Sequence, residues 1–459
     1  MKRNHVTRRG FLQGMAAATA AAPYFWTSQE ARAQEAGSEL TIASIGVGGS
    51  RGRYSRGGSV ARQAAKLGRM VAVCDVDGLH TAEFAGKFDH EVHEYKDYRK
   101  LLDKEKVDVV TIGTPDHWHV PISIAALKAG CDVYCEKPLT LTIDEGKQIG
   151  QVVKETGKVF QVGSQQRTEY KQMFLKAIAL AQSGRLGDNL RAHVAIGGAP
   201  SGGPFDWTDP PEELDWDMWL GPAPKVGYCE ERRKIFRWFL EYSGGKMTDW
   251  GAHHIDIAQW ALGCDQTGPV EVEGTCEFPE LIPEHDPVAF FNGELALPNG
   301  FNAPTKFHID LKFANGNVLS VNDSYTSPDG ESSFGNGILI EGDKGRIFVN
   351  RGRLSGKPAE ELSDADQQWL DDEVVKLYGG KKPGGHMQNF FDCVEDRSLP
   401  ISDVFTHHRT MTSCHLSNIT LLLGRKLKWD PEKQQFVGDD QANALMSRRQ
   451  RKPYVTDMG

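Results

Sequence analysis

The sequence is poor in cysteine, in long apolar runs and in positive charge, and each shortage removes a class of protein. Eight cysteines among 459 residues, none in a CxxC pair, are too few and too scattered for a dense disulfide scaffold or a thiolate zinc site. Cys74, Cys131 and Cys135 lie in or beside apolar runs, where buried free thiols are usual. No run after residue 33 approaches the roughly 18 to 20 uninterrupted apolar residues that a membrane helix needs, so a soluble mature protein is expected. A formal charge of −9 argues against nucleic acid or anionic lipid as partner. Internal repeats and low-complexity segments are also missing.

What is present starts at the N terminus. "TRRGFLQ" (7–13) precedes the weakly apolar "GMAAATAAAPYF" and then "ARA" (31–33), the layout of a secretory signal with a basic front, an apolar middle and a small-residue cleavage site. Arg8 and Arg9 with Phe11 and Leu12 narrow it to the twin-arginine type. Residues 1–33 are therefore expected to be removed on export to the periplasm, with the twin-arginine machinery as a partner and no membrane anchor. They carry Lys2, Arg3, Arg8, Arg9 and Arg32 against Glu30, so their loss takes the net charge from −9 to −13.

The chain that follows alternates strand and helix signals. "ELTIASIGVG" (39–48), "MVAVCD" (70–75), "VDVVTIG" (107–113), "CDVYCEK" (131–137) and "VFQVG" (159–163) read as buried strands separated by helical patterns, including 142–157. Such alternation implies a parallel sheet with right-handed crossovers. From about residue 188, strands such as "VEVEGTCEF" and "KFHIDLKFA" follow one another with turn signals between them. Helical patterns at 384–397 and 403–424 come last. The expected fold class is α/β. A Rossmann domain (38–163) precedes an α+β domain (164–430) with a large, mostly antiparallel open sheet, and a C-terminal tail (431–459) follows.

In the first βα turn stand Gly46, Gly48, Gly49 and Gly52, with Ser50 and Arg51 between them. Glycine there lets backbone approach a pyrophosphate at a helix start, although Arg51 occupies the sixth position of GxGxxG. Asp75 ends the second strand, where a carboxylate can accept the ribose hydroxyls of NAD and repel a 2′-phosphate. Arg51 and Arg53 keep NADP open. Ligands of such sheets bind at the strands' carboxyl ends, so "GTPDHWH" (113–119) and "EKP" (136–138) face the nicotinamide half. In "GGKMTDWGAHHID" Asp249 and His253 are four apart and share a face of the expected helix. A zinc site from His253, His254 and Asp256 is disfavoured, because adjacent histidines diverge on a helix and no thiolate joins them.

The glycine turn, "CDVD", "GTPDHWH", "CEKPLT" and "DWGAHHID" occur in an order and spacing that resembles the Gfo/Idh/MocA oxidoreductases over nearly the whole mature chain. The resemblance implies that Lys137 is the catalytic lysine, with Asp249 and His253 its partners across the substrate. It implies an NAD(P) site including Gly46, Gly48, Gly49, Ser50, Arg51, Asp75, Thr114, Pro115, His119 and Glu136, no metal, and a homo-oligomer packed through the open sheet.

Oxidising a secondary alcohol removes a proton from oxygen as hydride leaves carbon, which asks for a base and a cationic donor beside one hydroxyl. His253 suits the first role and Lys137 the second, with Asp249 orienting His253 or binding a neighbouring hydroxyl. "GSQQR" (163–167) places Gln165 and Arg167 beside this site, and His254 and His386 are further candidates for holding substrate. The six tryptophans between 205 and 260 fit sugar platforms or core packing. The expected activity is oxidation of a sugar or cyclic polyol with a tightly held cofactor, since free nicotinamide nucleotides are not expected outside the cytoplasm. Two alternatives are a redox-neutral, NAD-dependent glycoside hydrolase, as in the family's N-acetylgalactosaminidases, and a non-catalytic sugar-binding protein.

Overall fold

A computed structural model of the chain describes residues 39–53 and 55–456. The expected signal segment lies outside the described residues. Six strands, β1 (Thr41–Ile45), β2 (Arg69–Cys74), β3 (His93–Tyr95), β4 (Val109–Ile112), β5 (Asp132–Cys135) and β6 (Phe160–Val162), form a parallel sheet in the order β3-β2-β1-β4-β5-β6. The helices between them are α1 (Arg56–Ala64), α2 (Gly78–Ala85), α3 (Tyr98–Lys104), α4 (His119–Lys128) and α5 (Ile143–Thr156). β4 and β5 are buried throughout because helices cover both faces, which is why they read as unbroken apolar runs. Thr142 and Glu145 form a reciprocal capping box that starts α5, and Gly157, at φ +62°, ends it in the left-handed conformation. The reversal of strand order between β1 and β4 opens a crevice at the carboxyl end of the sheet.

The second sheet has nine strands. They are β7 (Arg191–Ala195), β8 (Pro269–Glu277), β9 (Lys306–Phe313), β10 (Val318–Asn322), β13 (Gly337–Gly342), β14 (Gly345–Val349), β15 (Leu354–Ser355), β16 (Leu427–Asp430) and β17 (Gln435–Phe436). A separate two-stranded ribbon pairs β11 (Tyr325–Thr326) with β12 (Ser333–Phe334). The order is β15-β14-β13-β7-β10-β9-β8-β16-β17, antiparallel except for β7 beside β10. Along β9 the burial alternates, sending Phe307, Ile309 and Leu311 into the core and Lys306, His308 and Lys312 outward. α6 (Met173–Gln182), α7 (Gly251–Ala261) and the 20-residue α9 (Val404–Leu423) cover the apolar face.

The first sheet ends at β6, but the later chain crosses back. On α8 (His386–Asp396), Met387, Phe390 and Phe391 pack against Val60 and Ala61 of α1, so this helix covers the Rossmann sheet. Residues from 431 onward, expected as a tail, pair β17 with β16 and bury Phe436, Ala442 and Met446 in the second core. All eight cysteines are free.

Candidate active site

The carboxyl ends of β1, β2, β4, β5 and β6 carry Gly46, Asp75, Thr114, Glu136 with Lys137, and Gln165. Gly46 holds φ +79°, and a Cβ there would lie 2.6 Å from Thr114. Gly57 sits against it so closely that its Cβ would fall 1.8 Å from the Gly46 carbonyl oxygen. Only glycine lets α1 dock this tightly on the turn. The Asp75 carboxylate accepts the backbone N–H of Gly48 at 2.9 Å and of Asp77 at 3.0 Å, which fixes it beside the turn. Gly46, Gly48, Asp75, Thr114, Pro115, His119 and Glu136 all line one cleft. His119 contributes as a brace, its two ring nitrogens lying 2.7 Å from the Pro138 carbonyl and 2.9 Å from the Thr114 carbonyl.

Three expected members of this set point elsewhere. Gly49 and Ser50 turn toward α2, where the Ser50 N–H donates to Glu83 at 2.9 Å and a Cβ on Gly49 would lie 2.4 Å from Glu83. Arg51 bonds Glu213 at 2.7 Å. The acids of α2 and of the 205–240 segment draw this part of the loop away, and Arg53 and Arg56 line the cleft instead. The cleft fits a dinucleotide. Ser55 makes no side-chain cap on α1 and no acid stands in its first turn, so the start of the helix favours an anion, and Thr114 Oγ1 is buried in the wall without a hydrogen-bond partner among the described residues.

A strap from the second domain covers this cleft. Glu213 accepts the Gly78 N–H at 3.1 Å, and the Asp215 N–H donates to the Val76 carbonyl at 2.9 Å. Arg233 forms a buried ion pair with Asp77. Leu214, Met218, Trp219 and Phe236 supply an apolar inner surface.

Lys137 stands where the covered cleft opens into a second one of about 700 Å³, lined also by Gln165, Asp249 and His253. Its ammonium donates to Asp249 Oδ1 at 2.5 Å and to the Asp249 carbonyl at 2.8 Å. Burial opposes the charge on Asp249, but Lys137 and Arg237 outweigh it and hold its carboxyl down at about 2. Asp249 ends a short helix, Gly245–Asp249, and His253 lies on α7 beyond the break at Trp250. The two side chains therefore face one cleft, yet Asp249 bonds Lys137 rather than orienting His253. The His253 Nδ1 is buried with no hydrogen-bond partner among the described residues. Burial first, then the charges of Lys137 and Arg351, press its pKa well below the usual histidine value. Gln165 donates to Glu136 at 3.0 Å and to the Tyr134 hydroxyl at 3.1 Å.

Arg167, His254 and His386 are not in the cleft. Arg167 makes a bidentate ion pair with Asp256, at 2.6 and 2.7 Å, in the interior. His254 follows His253 on α7 and so points about 100° away, where its Nε2 meets Asn336 at 3.0 Å. His386 is fixed between Thr168, at 3.0 Å, and the Val162 carbonyl, at 2.8 Å. Tyr170, Arg237 and Arg351, which no motif marked, line the cleft instead, together with Lys246 and two of the six tryptophans, Trp238 and Trp250. Lys246 lies inside the quoted "GGKMTDW", whereas Arg237 and Arg351 lack a local signal.

Two family models match the chain. Residues 40–164 match the GFO_IDH_MocA oxidoreductase family, NAD-binding Rossmann fold, and residues 205–283 and 328–456 match its C-terminal alpha/beta domain. The scyllo-inositol 2-dehydrogenase (NAD(+)) of Bacillus subtilis is 28% identical over 314 residues, 67% of this chain and 73% of its own. A glycosyl hydrolase family 109 protein of Shewanella baltica is 26% identical over 222 residues, 42% of this chain and 46% of its own. Against inositol 2-dehydrogenases of Salmonella the match spans only 37% of the relative's length. The WlbA dehydrogenase of Bordetella pertussis, solved with NADH and UDP-GlcNAcA, shares the fold at TM-score 0.58 and 18% identity, covering 86% of this chain and 98% of that one. With both of its domains matched by the family's models, and with its glycine turn, EKP lysine and downstream histidine gathered at one crevice, the chain belongs to the Gfo/Idh/MocA oxidoreductases.

Proposed function

We propose that this protein oxidises a secondary hydroxyl of a sugar or cyclic polyol with an NAD that stays bound beneath the strap, after export by the twin-arginine route. The observation that carries the reading is the position of Lys137, bonded to Asp249 at the point where the covered cleft meets the open one, with His253 lining the open side. Asp75 at the end of β2 favours NAD over NADP. The bound cofactor supplies the hydride acceptor.

The chain's own residues manage the proton. Lys137 donates a hydrogen bond to the substrate oxygen and stabilises negative charge as it develops there. Asp249 aims that ammonium, and Arg237, at 3.3 Å from the same carboxylate oxygen, steadies it from the other side. His253 is neutral at ordinary pH and accepts the departing proton. Trp238 and Trp250 give the cleft two aromatic walls on which a ring can rest.

The direct test is to denature purified exported protein and identify the released nucleotide. Stoichiometric NAD supports the reading, whereas an empty protein that binds added NAD weakly and reversibly removes the captive cofactor. The match to a glycosyl hydrolase family 109 protein favours a second reading, glycoside cleavage through transient oxidation with no net redox change. Solvent deuterium at C2 of the released sugar would support that route, and its absence would count against it.

A further inference from the structure

The open cleft is basic in a protein that is acidic. Six cations line it, Arg53, Arg56, Lys137, Arg237, Lys246 and Arg351, against three carboxylates, Glu136, Glu169 and Asp249, a surplus of three positive charges where the whole chain carries −9. The surplus is a property of the cleft, and a local field of that sign gathers anions.

Most of these charges already have work. Arg56 pairs with Glu136 at 2.9 Å, and Arg53 stands near it beside the start of α1, where the pyrophosphate would lie. Lys137 and Arg237 share Asp249. Glu169 accepts the backbone N–H of His386 at 3.1 Å. Lys246 and Arg351 remain. Neither forms an ion pair with a carboxylate among the described residues, and each rests on an aromatic ring. The Lys246 ammonium lies 5.3 Å from the centre of Trp238, and the Arg351 guanidinium lies 4.5 Å from Trp250 and 4.9 Å from Tyr170. The Arg351 Nε is buried with no hydrogen-bond partner among the described residues. Burial lowers the pKa of both groups. A buried cationic donor left unmatched is costly and calls for an anionic acceptor.

We propose that the substrate of this cleft is an acidic sugar, whose carboxylate, sulfate or phosphate is held by Arg351 and Lys246 while the reacting hydroxyl meets Lys137 and His253. The inference rests on the oxidoreductase reading for the position of the hydroxyl, but not for the charge preference. Bidentate geometry suits Arg351 to such a group, and the flanking rings can carry the sugar face.

The test uses the full exported chain loaded with NAD and four probes: methyl glucopyranoside, glucuronate, glucose 6-sulfate and glucose 6-phosphate. Titration calorimetry reads binding, and reduction of the nicotinamide reads turnover separately. At least one acid should bind about tenfold or more tightly than the neutral glycoside, the expected size for a charge-assisted contact, and its advantage should shrink as salt is added. Which acid wins distinguishes carboxylate from sulfate and phosphate. Arg351→Gln and Lys246→Gln should each reduce that advantage several-fold, while the neutral probe changes by less than about twofold. Equal binding of neutral and acidic probes, an advantage that survives in both variants, or no binding of any probe overturns the inference. Acid-selective binding without turnover of any probe leaves it standing and overturns the proposed reaction instead.

Discussion

The covered cleft takes its shape from backbone, the open one from long side chains. In the first, Gly46 and Gly57 bring a helix start within contact of a strand end, and Asp75 is fixed by two main-chain N–H groups. In the second, the walls are Lys137, Lys246, Arg237, Arg351 and two tryptophans, carried by segments far apart in the chain. A backbone cradle recognises a cofactor that does not vary. Side-chain walls can be altered singly without disturbing the sheet, so substrate choice can diverge while the cofactor site stays as it is.

The largest effect is expected at Lys137, which lines both clefts. Lys137→Met is expected to lower turnover by about 10³-fold or more, by loss of the donor at the developing charge, while nucleotide content after denaturation stays stoichiometric. Loss of the nucleotide as well would mean that the clefts are not separable. Next in size is Arg167→Leu, which strands Asp256 in the interior. A stability loss of about 3 to 5 kcal/mol by denaturant titration is expected, with substrate preference among the folded molecules unchanged. A changed preference would return Arg167 to the substrate site.

A smaller effect is expected at the strap. Arg233→Met leaves Asp77 without its buried partner, and release of NAD, followed by dilution into a nucleotide scavenger, should quicken by about tenfold. An unchanged release rate would mean that the strap does not retain the cofactor. The mildest prediction concerns pH. Burial and the nearby cations hold His253 neutral in the folded protein, with its pKa well below the ordinary histidine value of about 6.5. The base form therefore persists as pH falls through 6.5, and kcat/KM should decline only below it. A break at 6.5 would assign the proton to a different group or show His253 to be solvated.

What could be read from the sequence follows the same division. Gly46, Asp75 and Lys137 were legible because each ends an apolar run, and the carboxyl ends of parallel strands are where such a sheet binds. α5 was legible from its cap at Thr142 and its stop at Gly157. Residues 76–106 gave no reading. They hold α2, a three-residue β3 and α3, too short and too exposed for a clear period. Arg167, His254 and His386 sit near the motifs but spend their polar groups on partners within the protein, which no spacing reveals. The cationic wall was illegible for a different reason. Arg237 precedes the short helix bearing Lys246, and Arg351 follows β14, so only the tertiary fold places them together.

The strap has a kinetic consequence. If it opens more slowly than the protein turns over, no second nucleotide can enter between half-reactions, and donor and acceptor must use the open cleft in alternation. Such an enzyme obeys ping-pong kinetics, with parallel lines in double-reciprocal plots and each substrate inhibiting the half-reaction of the other at high concentration. The few hydrogen bonds that tie the strap to Val76, Asp77 and Gly78 would then set the order in which sugars are handled as well as the lifetime of the cofactor.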